Sequence, residues 1–137
     1  MFYDDQNIFA RIIRNELPAI KVYEDEQVLA FMDIMPQAEG HTLVIPKTPA
    51  VTLLDLPPDA AAYTIQIVQK VAQAMKVALD VQGIVLMQLS GASAGQTVPH
   101  VHFHLIPSSV HELGKHALHM GDQEKIKALA ERIKAEL

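Results

Sequence analysis

Between Pro99 and Ile106 the chain alternates strictly, with His100, His102 and His104 interleaved with Val101, Phe103 and Leu105. An extended backbone sends successive side chains to opposite sides, so the segment reads as a β-strand with one imidazole face and one apolar face. Neighbouring histidines on that face stand about 6.6 Å apart. The apolar face needs a covering layer, which places the strand in a sheet packed against helix. The imidazole face needs a use, because His is a poor choice for a merely wet surface and serves acid–base work, nucleophilic attack and metal binding.

The remaining pattern supplies the layer. Pro57-Pro58-Asp59 opens a long helix predicted to run to about residue 80, with Ile67, Val68, Val71, Met75, Ala78 and Leu79 on its apolar stripe. Asn7 is placed to cap a short helix from Ile8 to about Asn15, with Pro18 beyond its end. A third helix is predicted over about 122–136, with Ile126, Leu129, Ala130 and Ile133 as its stripe. Residues 19–23, 28–33, 42–45, 84–89 and 98–106 read as five strands. Strands that outnumber and surround one long helix predict an α+β chain, an antiparallel sheet covered on one face. The 137 residues carry no repeat or low-complexity linker, so one domain spanning 1–137 is expected.

Composition removes several function classes. There is no cysteine, which excludes disulfides, thiolate nucleophiles and Cys-ligated zinc. Eleven Lys and Arg against 16 Asp and Glu leave a formal charge of −5, the wrong sign for a general binder of nucleic acid or anionic membrane. A single mononucleotide is still within reach, since backbone N–H groups and histidines can hold its phosphate. No apolar run approaches the roughly 18 residues a membrane span requires. The start, Met1-Phe2-Tyr3-Asp4-Asp5, is acidic where a signal peptide is basic and then apolar, so the cytoplasm is the expected location.

Two chemistries compete for the histidine face. A His-x-His pair can ligate a metal, with His41 or His104 completing the set, although no Glu or Asp lies within the strand. Alternatively a neutral imidazole attacks phosphorus and carries the phosphoryl group covalently. At its reference pKa, roughly three quarters of such a His is neutral at pH 7.

The run His100 to Ile106 resembles the signature of the histidine-triad (HIT) family, three histidines alternating with apolar residues. The likeness extends to Asn7-Ile8-Phe9-Ala10-Arg11-Ile12-Ile13, Ala30-Phe31-Met32-Asp33-Ile34, His41-Thr42-Leu43-Val44-Ile45-Pro46-Lys47 and Ala94-Gly95-Gln96-Thr97-Val98. It covers about residues 7–107 and is nearest to the Hint-type nucleoside phosphoramidase branch. The resemblance implies a HIT fold assembled as a two-fold homodimer with a continuous sheet. It implies a purine nucleotide or nucleoside phosphoramidate as substrate and no metal or other cofactor. His102 would attack the α-phosphorus, His100 and His104 would flank it and assist the leaving group, and His41 would be a fourth site histidine. Gln96, Thr97 and the backbone of the Gly95 turn would hold phosphate oxygens, and Asp33 the ribose hydroxyls. Ile8, Phe9, Ile12, Phe31, Ile34 and Leu43 would line the base pocket.

Some positions depart from the family. Asn7, Ala10 and Pro49 stand where certain bacterial relatives carry a zinc site, so structural zinc is not implied. Leu89 replaces an amide residue expected beside the scissile bond, and Gln88 should face the other way. The segment after Ser109 lacks the tryptophan of the Hint branch, and His111, His116 and His119 read as solvated. A nucleotide-binding module with little turnover is the alternative that Leu89 keeps open. A metalloenzyme built on the histidine face is a second.

Overall fold

The computed structural model describes residues 2–113 and 120–137, so His116 and His119 lie outside the described residues. Helix α1, Ile8–Ile13, starts where the Asn7 side chain accepts the Ala10 N–H at 2.9 Å. It stops short of its expected end because Asn15 takes a left-handed conformation, φ 61°. Strands β1 (Lys21–Glu24), β2 (Val28–Met32) and β3 (Thr42–Pro46) follow. Helix α2, Pro58–Leu79, then leads to β4 (Val85–Gln88) and β5 (Phe103–Ile106). A short 3₁₀ turn at Ala92–Ala94, not expected from the sequence, lies between these two strands. Helix α3, Gln123–Lys134, is capped by Asp122, whose carboxylate accepts from Glu124 N–H and Lys125 N–H.

The five strands form one antiparallel sheet in the order β1-β2-β3-β5-β4. The α+β architecture is as expected, with one correction: both faces of the sheet are covered. Val28, Ala30, Met32, Val44, Phe103 and Leu105 pack under α2 and α3. Leu29, Phe31, Leu43 and Ile45 pack with Phe9 and Ile12 of α1 on the opposite side. Every residue of β2 and β3 is therefore buried, which explains the apolar runs 28–32 and 43–46.

A second correction concerns the strand expected from residue 98. Ladder pairing begins at Phe103, opposite Val44, and residues 98–100 form a bend. His104 stands opposite Leu43 of β3 and Met87 of β4. Directly paired residues share a face, so His104 belongs to the α1 side of the sheet. Val101, Phe103 and Leu105 are in the core under α2, as expected. Among the described residues no helix is long and apolar enough to cross a membrane.

Candidate active site

A cavity of about 420 Å³ opens on the α1 side of the sheet. Ile8, Phe9 and Ile12 of α1 form one wall; Phe31, Asp33, Ile34 and Leu43 form the floor. Leu89, Gly95 and Thr97 close the opposite end beside His102 and His104. Apolar walls with a few convergent polar groups are the usual make-up of a small-molecule site. Pro18, Ala19, Met35, Gln37 and Val98 also line it and were not expected. Met35 and Val98 each sit one or two residues from an expected contact, so motif adjacency was the available signal.

The histidines are fixed by their partners. His102 Nδ1 lies 2.7 Å from the His100 carbonyl, which can only accept, so Nδ1 carries the proton and Nε2 the lone pair. Burial lowers the pKa of His102 below its ordinary value, against the opposing pull of that carbonyl. The result is a neutral imidazole with a defined basic atom. The Phe9 ring stands edge-on to it, 4.9 Å between centroids, and His104 lies 4.8 Å away on the other side.

His41 does not reach the cavity. It sits behind His104 and lines a second space of about 360 Å³ together with Gln37, Glu39, Asp122 and Lys125. The Gln37 N–H donates to His41 Nδ1 at 3.0 Å, so the His41 proton is on Nε2 and points to His104 Nδ1, 3.0 Å away. His104 then carries its own proton on Nε2. Burial, with a smaller contribution from His102, pushes His41 down to about 4, so its 3.6 Å approach to Asp33 is not an ion pair. Burial pushes Asp33 up to about 6, opposed by the Met35 N–H that its Oδ1 accepts at 2.8 Å.

His100 flanks His102 as expected, but its ring is not placed to assist a leaving group in the cavity. It is fully buried and does not line the cavity. Its Nε2 meets the Pro46 carbonyl at 2.8 Å and its Nδ1 the Tyr3 hydroxyl at 2.6 Å. Burial holds it at about 4, against the Pro46 hydrogen bond. Its backbone carbonyl, not its ring, serves His102.

Gln96 requires correction too. Its amide accepts from Gly91 N–H and donates to the Val51 and Val98 carbonyls, so it braces the loop and has no donor left for phosphate. The backbone N–H groups of Ala94, Gly95 and Gln96 are likewise consumed by Gly91 and Ala92 carbonyls. Of the loop residues expected to hold phosphate, Gly95 and Thr97 line the cavity, and Thr97 alone of the two carries a side-chain hydroxyl. Gln88 faces away as expected, bonded to Leu89 O and Ser90.

Asp33, His41 and His104 offer ligand atoms within 4.8 Å of one another, which is the spacing of a metal site. The surroundings fit poorly. A His that binds metal through Nε2 carries its proton on Nδ1 and needs an acceptor there. His41 Nδ1 faces the Gln37 N–H, a donor. The donor set suits a hydrogen-bond relay better than an ion.

The HIT-domain family model matches residues 14–111 of this chain. An uncharacterised HIT-like protein of Methanocaldococcus jannaschii is 46% identical over 100 residues, 73% of this chain and 77% of that protein. The adenosine 5′-monophosphoramidase of Schizosaccharomyces pombe is 36% identical over 136 residues, covering 95% of this chain and 97% of its own. Among solved structures, a HIT-like protein of Bartonella henselae superposes with a TM-score of 0.92 at 47% identity over the whole of both chains.

Proposed function

The chain belongs to the HIT-domain family, and from that premise we propose that it hydrolyses purine nucleoside 5′-phosphoramidates or closely related nucleotides through a nucleotidyl-His102 intermediate. The observation that carries the reading is the state of His102: neutral, protonated on Nδ1, with Nε2 basic in a cavity that also holds Asp33 and Thr97. A purine fits the apolar end against Ile8, Phe9, Ile12, Phe31, Ile34 and Leu43. Asp33 accepts two ribose hydroxyls, the task for which an acceptor-only carboxylate is suited. That leaves the α-phosphorus beside His102.

In the first step Nε2 bonds to phosphorus and the P–N bond of the substrate breaks. The departing amine takes a proton from solvent, while His104 Nε2–H, its ring held by His41 Nε2–H, donates a hydrogen bond to the leaving nitrogen. The ring of phosphorylated His102 is cationic, and Nδ1–H donating to the His100 carbonyl stabilises that charge. Water then attacks phosphorus, the P–Nε2 bond breaks to return neutral His102, and one proton goes back to solvent as nucleoside monophosphate forms. Placement and charge stabilisation suffice for phosphoryl transfer.

A second copy is part of the proposal. Strand β4 is a sheet edge with Leu86 exposed, and Ile65 and Val77 of α2 are exposed as well. A two-fold contact would pair the open edge and cover this apolar surface. The conclusion is tested with adenosine 5′-phosphoramidate. Adenosine monophosphate should form, quenched enzyme should carry a nucleotidyl adduct on His102, and His102→Ala should bind the product but not turn over. Leu89 favours one competing reading, nucleotide binding with negligible turnover, because it sets an apolar group beside the reacting centre. Absence of monophosphate release at micromolar enzyme would decide for it.

A further inference from the structure

We propose that Tyr3 is a positioning residue for the nucleophile, acting through His100. His100 is anchored at both ring nitrogens, to the Pro46 carbonyl at the end of β3 and to the Tyr3 hydroxyl. A carbonyl accepts only, so Nε2 of His100 holds the proton and Nδ1 accepts the Tyr3 O–H at 2.6 Å. The two rings also meet edge to face, centroids 5.6 Å apart at 68°. With its ring clamped from both ends, His100 cannot turn, and its backbone carbonyl stays 2.7 Å from His102 Nδ1.

That carbonyl selects the His102 tautomer. Free neutral imidazole exchanges its proton between two nitrogens, and a proton on Nε2 would remove the lone pair that attacks phosphorus. Tyr3 thus lies two hydrogen bonds and one residue away from the reacting atom. Burial raises the Tyr3 hydroxyl above its ordinary value, so it remains a donor across the working pH range. Without the hydroxyl, His100 Nδ1 is left buried and unpaired, and the ring reorients to recover a partner.

Tyr3→Phe keeps the aromatic ring and removes the hydroxyl, the donor to His100 and the partner of the Asn7 side chain. On adenosine 5′-phosphoramidate kcat should fall about three- to tenfold, the range of one lost neutral hydrogen bond, with KM changed by less than about twofold. Phe2→Ala, at the exposed neighbour, should leave both unchanged. Nitrogen-15 NMR of labelled histidines should show His102 protonated on Nδ1 in the wild type and a mixture of tautomers in Tyr3→Phe. An unaltered kcat with an unaltered tautomer overturns the proposal. So does a lower kcat or melting temperature in which His102 keeps its wild-type tautomer, since that is a structural effect. The kinetic arm rests on the phosphoramidase reading and the tautomer arm does not, so a chain without turnover would remove that reading alone.

Discussion

His41 and His100 titrate near 4 in the folded chain against 6.5 for an ordinary histidine. Between those values the unfolded chain binds protons that the folded chain does not, so stability present above pH 6.5 is lost as pH falls towards 4. Asp33 runs the other way. Its folded value of about 6 exceeds 3.8, so its contribution is fully present below pH 3.8 and is lost as pH rises through 6. At neutral pH it is a half-buried charge. Asp33→Asn should stabilise the ligand-free protein by roughly 1–2 kcal/mol at pH 7.5, with little gain at pH 4, and should raise KM for the nucleotide. Calorimetry at the two pH values checks the first part and steady-state kinetics the second. The depressed pKa of His102 places the acid limb of kcat/KM below 6.5, which a pH–rate profile reads directly. Leu89→Asn restores an amide at the cavity end and should raise kcat/KM up to about tenfold, the worth of one neutral hydrogen bond. No change would mean that the pocket is shaped for a different leaving group.

The loop from Asp33 to β3 shows how elements position the site. Gly40 has φ 88°, and a Cβ there would stand 2.5 Å from Leu79 Cδ1 at the end of α2 and 3.2 Å from Pro107. Gly40→Ala should therefore destabilise by about 1–3 kcal/mol, through left-handed strain and crowding, and should disturb His41 beside it. Leu79→Ala in the same chain removes the crowding, so denaturant titrations of the double variant should fall short of the summed single effects. How much of this was legible depends on what each pattern encodes. The α2 stripe and the Asn7 and Asp122 caps were readable because periodicity and capping are local. The early start assigned to β5 was not, since alternation from His100 onward records an extended backbone, while ladder pairing depends on where β3 lies. The roles of Gln96 and His100 were hidden for a similar reason. A polar side chain in a motif is equally able to touch ligand or to hold the loop, and only the positions of Val51, Pro46 and Tyr3, distant in sequence, decide between them. The histidine face was legible from strand alternation, whereas Asp33 and the apolar wall, which line the cavity, were named only by the resemblance to the HIT family.

For the molecule as a whole, the exposed β4 edge and the apolar patches on α2 predict a pair. Light scattering at micromolar concentration should give twice the 15.1 kDa chain mass, and Leu86→Lys or Val77→Glu should lower it. The burial of β2 and β3 on both faces carries a different consequence, for how such a chain can diverge. With no residue of 28–32 or 42–46 facing water, neither parity of these strands tolerates polar replacement. A saturation library selected for folding should leave them nearly unvaried. Variation is left to the rim, to Leu89, Thr97, Ile34 and Met35, which line the cavity from outside these two strands. A new substrate preference can then arise by exchange at the rim while the centre of the sheet is inherited unchanged.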